Sequence, residues 1–164
     1  MIWEGLKSEL ILLDFEADSS TEVFKKLGKT LIKEGYCKET YIDALIEREK
    51  DFPTGINMGG IGIAIPHTDR QHVNQGGVAI GVLKKSVDFY QMGTTDEKVE
   101  AKLIFMLAVD DPKEHLTFLQ RILQVLQDQK VLEKVKNVTS KEELIKIIRD
   151  KESELEKGAV LCQQ

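Results

Sequence analysis

Hydrophobic positions along the chain follow two rhythms, one helical and one extended. Val23, Leu27 and Leu31 recur at helical spacing, and Gly35 marks where that helix should stop. Just before them, Ser19 and Glu22 have the separation of a capping box. A second helix is predicted over 40–50, its faces defined by Ile42, Leu45, Ile46 and Glu49, and Pro53 ends it. The period then changes. Ile61, Ile63 and Ile65 alternate with Gly62 and Ala64, which reads as a strand with one bulky and one small face. Residues 78–83 form a continuous apolar run of the buried-strand kind, and 87–89 is a short strand placed to pair beside it. The link from Leu83 to Val87 is short enough for one antiparallel hairpin. Residues 103–109 read as the central strand, and 11–15 as a shorter one.

Asp110-Asp111-Pro112 opens a further helix, with Asp as N-cap and Pro at the first helical position. Leu116, Leu119, Leu123 and Leu126 are its expected apolar face. A short helix follows over 131–135. The last helix starts at Thr139 or Ser140; Thr139 and Glu142 have capping-box spacing, and Leu144, Ile145 and Ile148 face inward. Strands alternating with helices imply a three-layer α/β/α domain, a mixed β-sheet flanked by helices on both faces. Residues 1–152 are expected to form that domain and 153–164 a frayed C-terminal tail. No repeat, low-complexity segment or Pro/Gly/Ser-rich linker divides the sequence, and 164 residues suit one core.

Composition narrows the classes. Apolar residues make up 41% and charged residues 31%, as in an ordinary globular domain. The 23 Lys and Arg against 28 Asp and Glu leave a formal charge of -5. That argues against nucleic acid as a partner and suits a protein with a basic docking face. No apolar stretch is long enough to span a bilayer. Glu4, Lys7, Glu9 and Asp14 interrupt the first residues, unlike a signal peptide, so a cytoplasmic location is expected. Cys37 and Cys162 have neither metal nor redox spacing and read as reduced thiols.

The chemistry concentrates in 59–69, Gly-Gly-Ile-Gly-Ile-Ala-Ile-Pro-His-Thr-Asp. A strand ends at Ile65, Pro66 fixes the backbone direction, and His67 follows at the strand's carboxyl end, where ligand sites of α/β sheets gather. A neutral imidazole held there is a nucleophile, and a hydrogen bond to its other nitrogen selects the tautomer. Attack on phosphorus would give a phosphoramidate whose phosphoryl group can be passed on. Such transfer needs positioning and positive electrostatics rather than a metal or organic cofactor.

This string resembles the active-site pattern of type 2 enzyme IIA domains of the bacterial sugar phosphotransferase system, which serve fructose, mannitol and galactitol. The likeness runs from about Ser8 to Arg149. It implies that His67 accepts a phosphoryl group from the carrier protein HPr and donates it to a cysteine of enzyme IIB, with the membrane component IIC served indirectly. Two further residues follow from it. Arg48, in Ala44-Leu45-Ile46-Glu47-Arg48-Glu49, matches the family's arginine near the histidine, and its planar fork suits phosphoryl oxygens. His115 matches the second histidine of mannitol members. It falls in the first turn after Pro112, where free N–H groups favour an anion.

Phe52-Pro53-Thr54-Gly55 and Thr68-Asp69 are similar to the galactitol branch. Thr54 has two readings, a hydroxyl donor to the phosphoryl group or a turn former. His72 reads as a surface residue near the site; a metal set of His67, Asp69 and His72 has no visible fourth ligand. A free-standing regulatory phospho-switch, or a fructose- or mannitol-specific enzyme IIA, is the alternative function. Sugar identity, oligomeric state and the reacting nitrogen of His67 stay open at this level.

Overall fold

The computed structural model describes residues 2–94 and 96–162. It contains five strands: β1 (Ile11–Phe15), β2 (Gly55–Met58), β3 (Ile61–Ala64), β4 (Gly77–Tyr90) and β5 (Lys98–Ala108). Five helices accompany them: α1 (Ser20–Lys33), α2 (Tyr41–Asp51), α3 (Pro112–Leu126), α4 (Gln129–Lys136) and α5 (Lys141–Cys162). The strands form one mixed sheet in the order β1-β4-β5-β3-β2. β1 is parallel to β4 and β3 to β5, while the β4–β5 and β2–β3 pairs are antiparallel. The sheet is mixed and β5 is central, as the sequence predicts.

Both sheet faces are covered. On one, Ile63, Ile65, Ile80, Leu103 and Phe105 pack under Ile122, Leu126, Leu132, Val135, Leu144 and Ile148 of α3, α4 and α5. On the other, Ala64, Ala79, Ile104 and Met106 lie under Val23, Phe24, Leu27, Leu31, Tyr41 and Leu45 of α1 and α2. The bulky and small faces anticipated around Ile63 and Ala64 therefore meet different helical layers. Each large apolar side chain buried this way contributes roughly 1.5–3 kcal/mol. The phenol of Tyr41, fully buried, donates to the Leu107 carbonyl at 2.6 Å, so this hydroxyl keeps a hydrogen bond on burial.

Several local expectations change. The short hairpin expected between Leu83 and Val87 does not form: β4 runs straight through, and β5 returns from a turn beyond Tyr90. The link is Lys84-Lys85-Ser86, with no residue suited to a tight turn. The surplus is absorbed as an irregularity in which 83–86 stand against Lys102 alone, between the pairs Val82–Leu103 and Val87–Ala101. The Lys102 ammonium donates to the Lys84 carbonyl there. β2, which no apolar run announced, pairs with β3 across Gly59 and Gly60, both at positive φ. Gly62 is required for a different reason: a Cβ there would collide with the Glu100 carbonyl oxygen on β5.

Leu116 is 57% exposed rather than inward, because the buried stripe of α3 runs through Ile122, Val125 and Leu126. The last helix is capped by Ser140, which accepts from the Glu143 amide, and not by the Thr139–Glu142 pair. Glu143 instead reaches back to the Thr139 amide. The expected frayed tail is helix as far as Cys162. Leu155 packs on the core and Arg121 pairs with Glu156, which gives that stretch partners of its own.

Candidate functional site

Parallel pairing of β3 with β5 brings their carboxyl ends to one edge of the sheet. His67 follows β3, and α3 follows β5. The backbone that carries His67 is pinned twice: the Ile65 amide donates to the Thr54 carbonyl at 3.1 Å, and the Leu107 amide to the Pro66 carbonyl at 2.9 Å. His67 is half-buried in an open cleft lined by Arg48, Thr68, Asp69, Arg70, Gln71, Val109, Pro112 and His115.

The Nδ1 atom of His67 lies 2.9 Å from the Ile65 carbonyl oxygen. A carbonyl can only accept, so Nδ1 carries the proton and Nε2 keeps its lone pair. Burial lowers the pKa of His67 below the ordinary imidazole value, and the Arg48 charge acts in the same direction. The Ile65 hydrogen bond and Asp69 oppose that change. The net direction favours the neutral, nucleophilic ring.

His115 presents its ring 4.9 Å from that of His67, centroid to centroid, tilted by 47°. Its pKa is lowered by burial first, then by His67 and Arg48. Asp111 caps α3 by accepting from the Lys113 amide at 2.9 Å, with Pro112 in the first turn, so His115 enters the cleft from a fixed helix start. Arg48 comes from the last turn of α2. Its guanidinium lies 4.8 Å from the centre of the Phe52 ring and 3.8 Å from an Asp69 oxygen. Its buried Nε has no hydrogen-bond partner among the described residues.

The family model "Phosphoenolpyruvate-dependent sugar phosphotransferase system, EIIA 2" matches residues 4–151. The chain belongs to this type 2 EIIA family of the sugar phosphotransferase system. Members are phosphotransferase components, and so is this chain. It is 31% identical over 113 residues to the galactitol-specific EIIA component of Escherichia coli K12, a match covering 69% of this chain and 75% of the relative. It is equally identical, 31% over 148 residues, to the mannitol-specific enzyme IIA component of Bacillus subtilis, covering 88% and 96%. Among solved structures it is similar to the complex of mannitol enzyme IIA and phosphorylated enzyme IIB from Escherichia coli. There the TM-score is 0.75 at 26% identity, covering 88% of this chain and 97% of the other.

Of the residues singled out in the sequence, the type 2 EIIA fold brings His67, His115 and Arg48 to one cleft. It does not bring Thr54 there: that side chain is buried and donates to Glu49. His72 is turned to the Thr40 hydroxyl, 2.8 Å from its Nδ1. Sequence reasoning assigned no role to Phe52 under Arg48, nor to Glu49. The Glu49 carboxylate accepts from the Thr54 amide at 2.8 Å and from its hydroxyl at 3.0 Å. Burial pushes its pKa up to about 7 against the opposing pull of those bonds and of Arg48. Glu49 differs in no visible way from Glu47 on the same helix, and the Pro53 loop that folds back onto it is the one signal that separates them.

Proposed function

We propose that Nε2 of His67 is the phosphoryl acceptor and donor of a cytoplasmic phosphocarrier domain within residues 1–152. Phosphorylated HPr docks at the cleft. The His67 Nε2–P bond forms as the P–N bond of the HPr phosphohistidine breaks, and the HPr imidazole leaves with its electron pair. The Nδ1 proton of His67 stays hydrogen-bonded to the Ile65 carbonyl throughout. In the second transfer the Nε2–P bond breaks as an S–P bond forms to the thiolate of an enzyme IIB cysteine. Arg48 turns its free donors to the equatorial phosphoryl oxygens, and the ring of His115 donates from the opposite side. Both contacts are transient, so modest interfaces with charged rims fit the acidic chain.

The observation that carries this reading is the His67 ring fixed through Nδ1, with Nε2 facing a cleft that also holds Arg48 and His115. The test is intact mass after incubation with phosphoenolpyruvate, enzyme I and HPr. The protein should gain one acid-labile phosphoryl group and His67→Ala none. A variant lacking His67 that is still labelled would end the assignment. For the sugar we propose galactitol, on the similarity of Phe52-Pro53-Thr54-Gly55 and Thr68-Asp69 to that branch. Transfer to purified IIB proteins of known specificity decides it: the galactitol partner should be labelled fastest, and preference for a mannitol IIB would replace that assignment.

A further inference from the structure

Glu49 occupies a place that disfavours a carboxylate twice. It lies in the last turn of α2, where the helix dipole repels negative charge, and it is half-buried. What offsets this is Thr54, whose amide and hydroxyl both donate to it. The same residue then turns its carbonyl to the Ile65 amide at 3.1 Å. The Ile65 carbonyl in turn accepts from the His67 Nδ1–H at 2.9 Å. Four residues are thereby joined in series: Glu49 through its carboxylate, Thr54, the Ile65 backbone and the His67 ring. The first link is charge-assisted and the strongest, and the later links pass its effect on as backbone position.

We infer that Glu49 is a positioning residue for His67, holding the Thr54–Ile65 backbone so that the Ile65 carbonyl keeps the proton on Nδ1 and leaves Nε2 free. The inference rests on the phosphocarrier reading for its consequence but not for its geometry. Glu49 touches neither the reacting atoms nor the exposed rim of the cleft. Its loss releases the Pro53–Thr54 loop, loosens the Thr54–Ile65 link and lets the imidazole populate the other tautomer, whose Nε2 is protonated and unreactive. The closest comparison is a partner that orients a metal-ligating histidine, whose removal costs about 10–100-fold in activity.

The test compares the 164-residue wild type with Glu49→Ala and Glu49→Gln. Nitrogen-15 NMR of the unphosphorylated protein reads the His67 tautomer directly. The wild type should show Nδ1–H alone, Glu49→Ala a mixture, and Glu49→Gln a return toward the wild type. The glutamine amide can accept from the Thr54 N–H and donate to its hydroxyl oxygen. The rate of phosphoryl uptake at saturating phosphorylated HPr should fall by about tenfold or more in Glu49→Ala with KM unchanged, and recover in Glu49→Gln. An Nδ1–H tautomer preserved in Glu49→Ala overturns the inference, as does equal loss in both variants. If Glu49→Ala does not fold, Thr54→Val replaces it: a tautomer change supports the inference and an unchanged one overturns it. Failure of the wild type to take up phosphoryl on His67 would refute the phosphocarrier reading instead, and the tautomer comparison would still decide the role of Glu49.

Discussion

At the scale of single residues, geometry and charge type matter separately. Arg48 offers a planar fork stacked on Phe52, with an unused Nε. A lysine keeps the charge but loses the fork and the stacking. Arg48→Lys is therefore expected to slow phosphoryl uptake by about 100-fold, at the lower end of the range for loss of one oriented donor, while the melting temperature changes little. Stopped-time labelling with phosphorylated HPr beside a thermal melt separates the two effects. The pH dependence follows from His67 and Glu49. His67 titrates below the ordinary imidazole value, so uptake should hold its plateau to lower pH than a free imidazole would allow.

For stability, the sign at Glu49 is the opposite of the usual carboxylate. Its pKa rises from 4.5 to about 7 on folding, so the folded state holds the proton through a window where the unfolded chain has lost it. Within that window, stability from this group falls as pH rises, by up to about 1.4 kcal/mol for each pH step of one. Glu49→Gln removes that slope, so the melting temperature at pH 8 relative to pH 5 should be higher in the variant than in the wild type. An identical slope in both proteins would contradict the raised pKa of Glu49. His67 was legible in the sequence because a strand, a proline and a histidine in succession fix where a side chain must emerge. Glu49 was not, because its partner arrives only when the loop after α2 closes.

Elements set where those residues stand. α3 starts at Asp111 and Pro112, a signal plain in the sequence, and the start also fixes His115 in the cleft. Replacing an Asp N-cap by Ala costs about 1 kcal/mol, which for a chain of this size lowers the melting temperature by about 2–4 °C. Asp111→Ala should show that drop in calorimetry, with slower phosphoryl uptake as the first turn of α3 loosens. A variant with normal uptake would remove the cap from the account of the site. Strand boundaries were less legible than helix starts. Periodicity marked Ile61, Ile63 and Ile65, yet β2 carries Gly55 and Asn57 among its four residues and exists because β3 offers it a partner. The Lys84–Ser86 stretch read as a hairpin because a break in the apolar run looks the same whether the chain turns or bulges. Pairing with β5 decides for the bulge.

Over the whole molecule, the start of the described chain is joined to α5. Glu152 is fully buried on α5 and accepts from the amides of Ile2 and Trp3 at 3.0 and 2.8 Å, while Arg121 of α3 brings its Nε to 3.4 Å. One carboxylate thus binds the chain start, α3 and α5 into a single layer, which the sequence could not announce since Glu152 sits among Lys151, Ser153 and Glu154. Removing it leaves the two backbone donors without an acceptor while Arg121 keeps Glu156, and two unsatisfied buried donors together cost about 3–5 kcal/mol. Glu152→Ala should therefore lower the melting temperature by roughly 6–20 °C. At a temperature where the variant is still folded, its rate of phosphoryl uptake should equal that of the wild type, because no hydrogen bond joins the latch to the residues of the cleft. A variant with wild-type melting would show that the latch holds nothing together. A stable variant with slow uptake would instead reveal that the α3–α5 layer transmits its order to His115 through the body of α3.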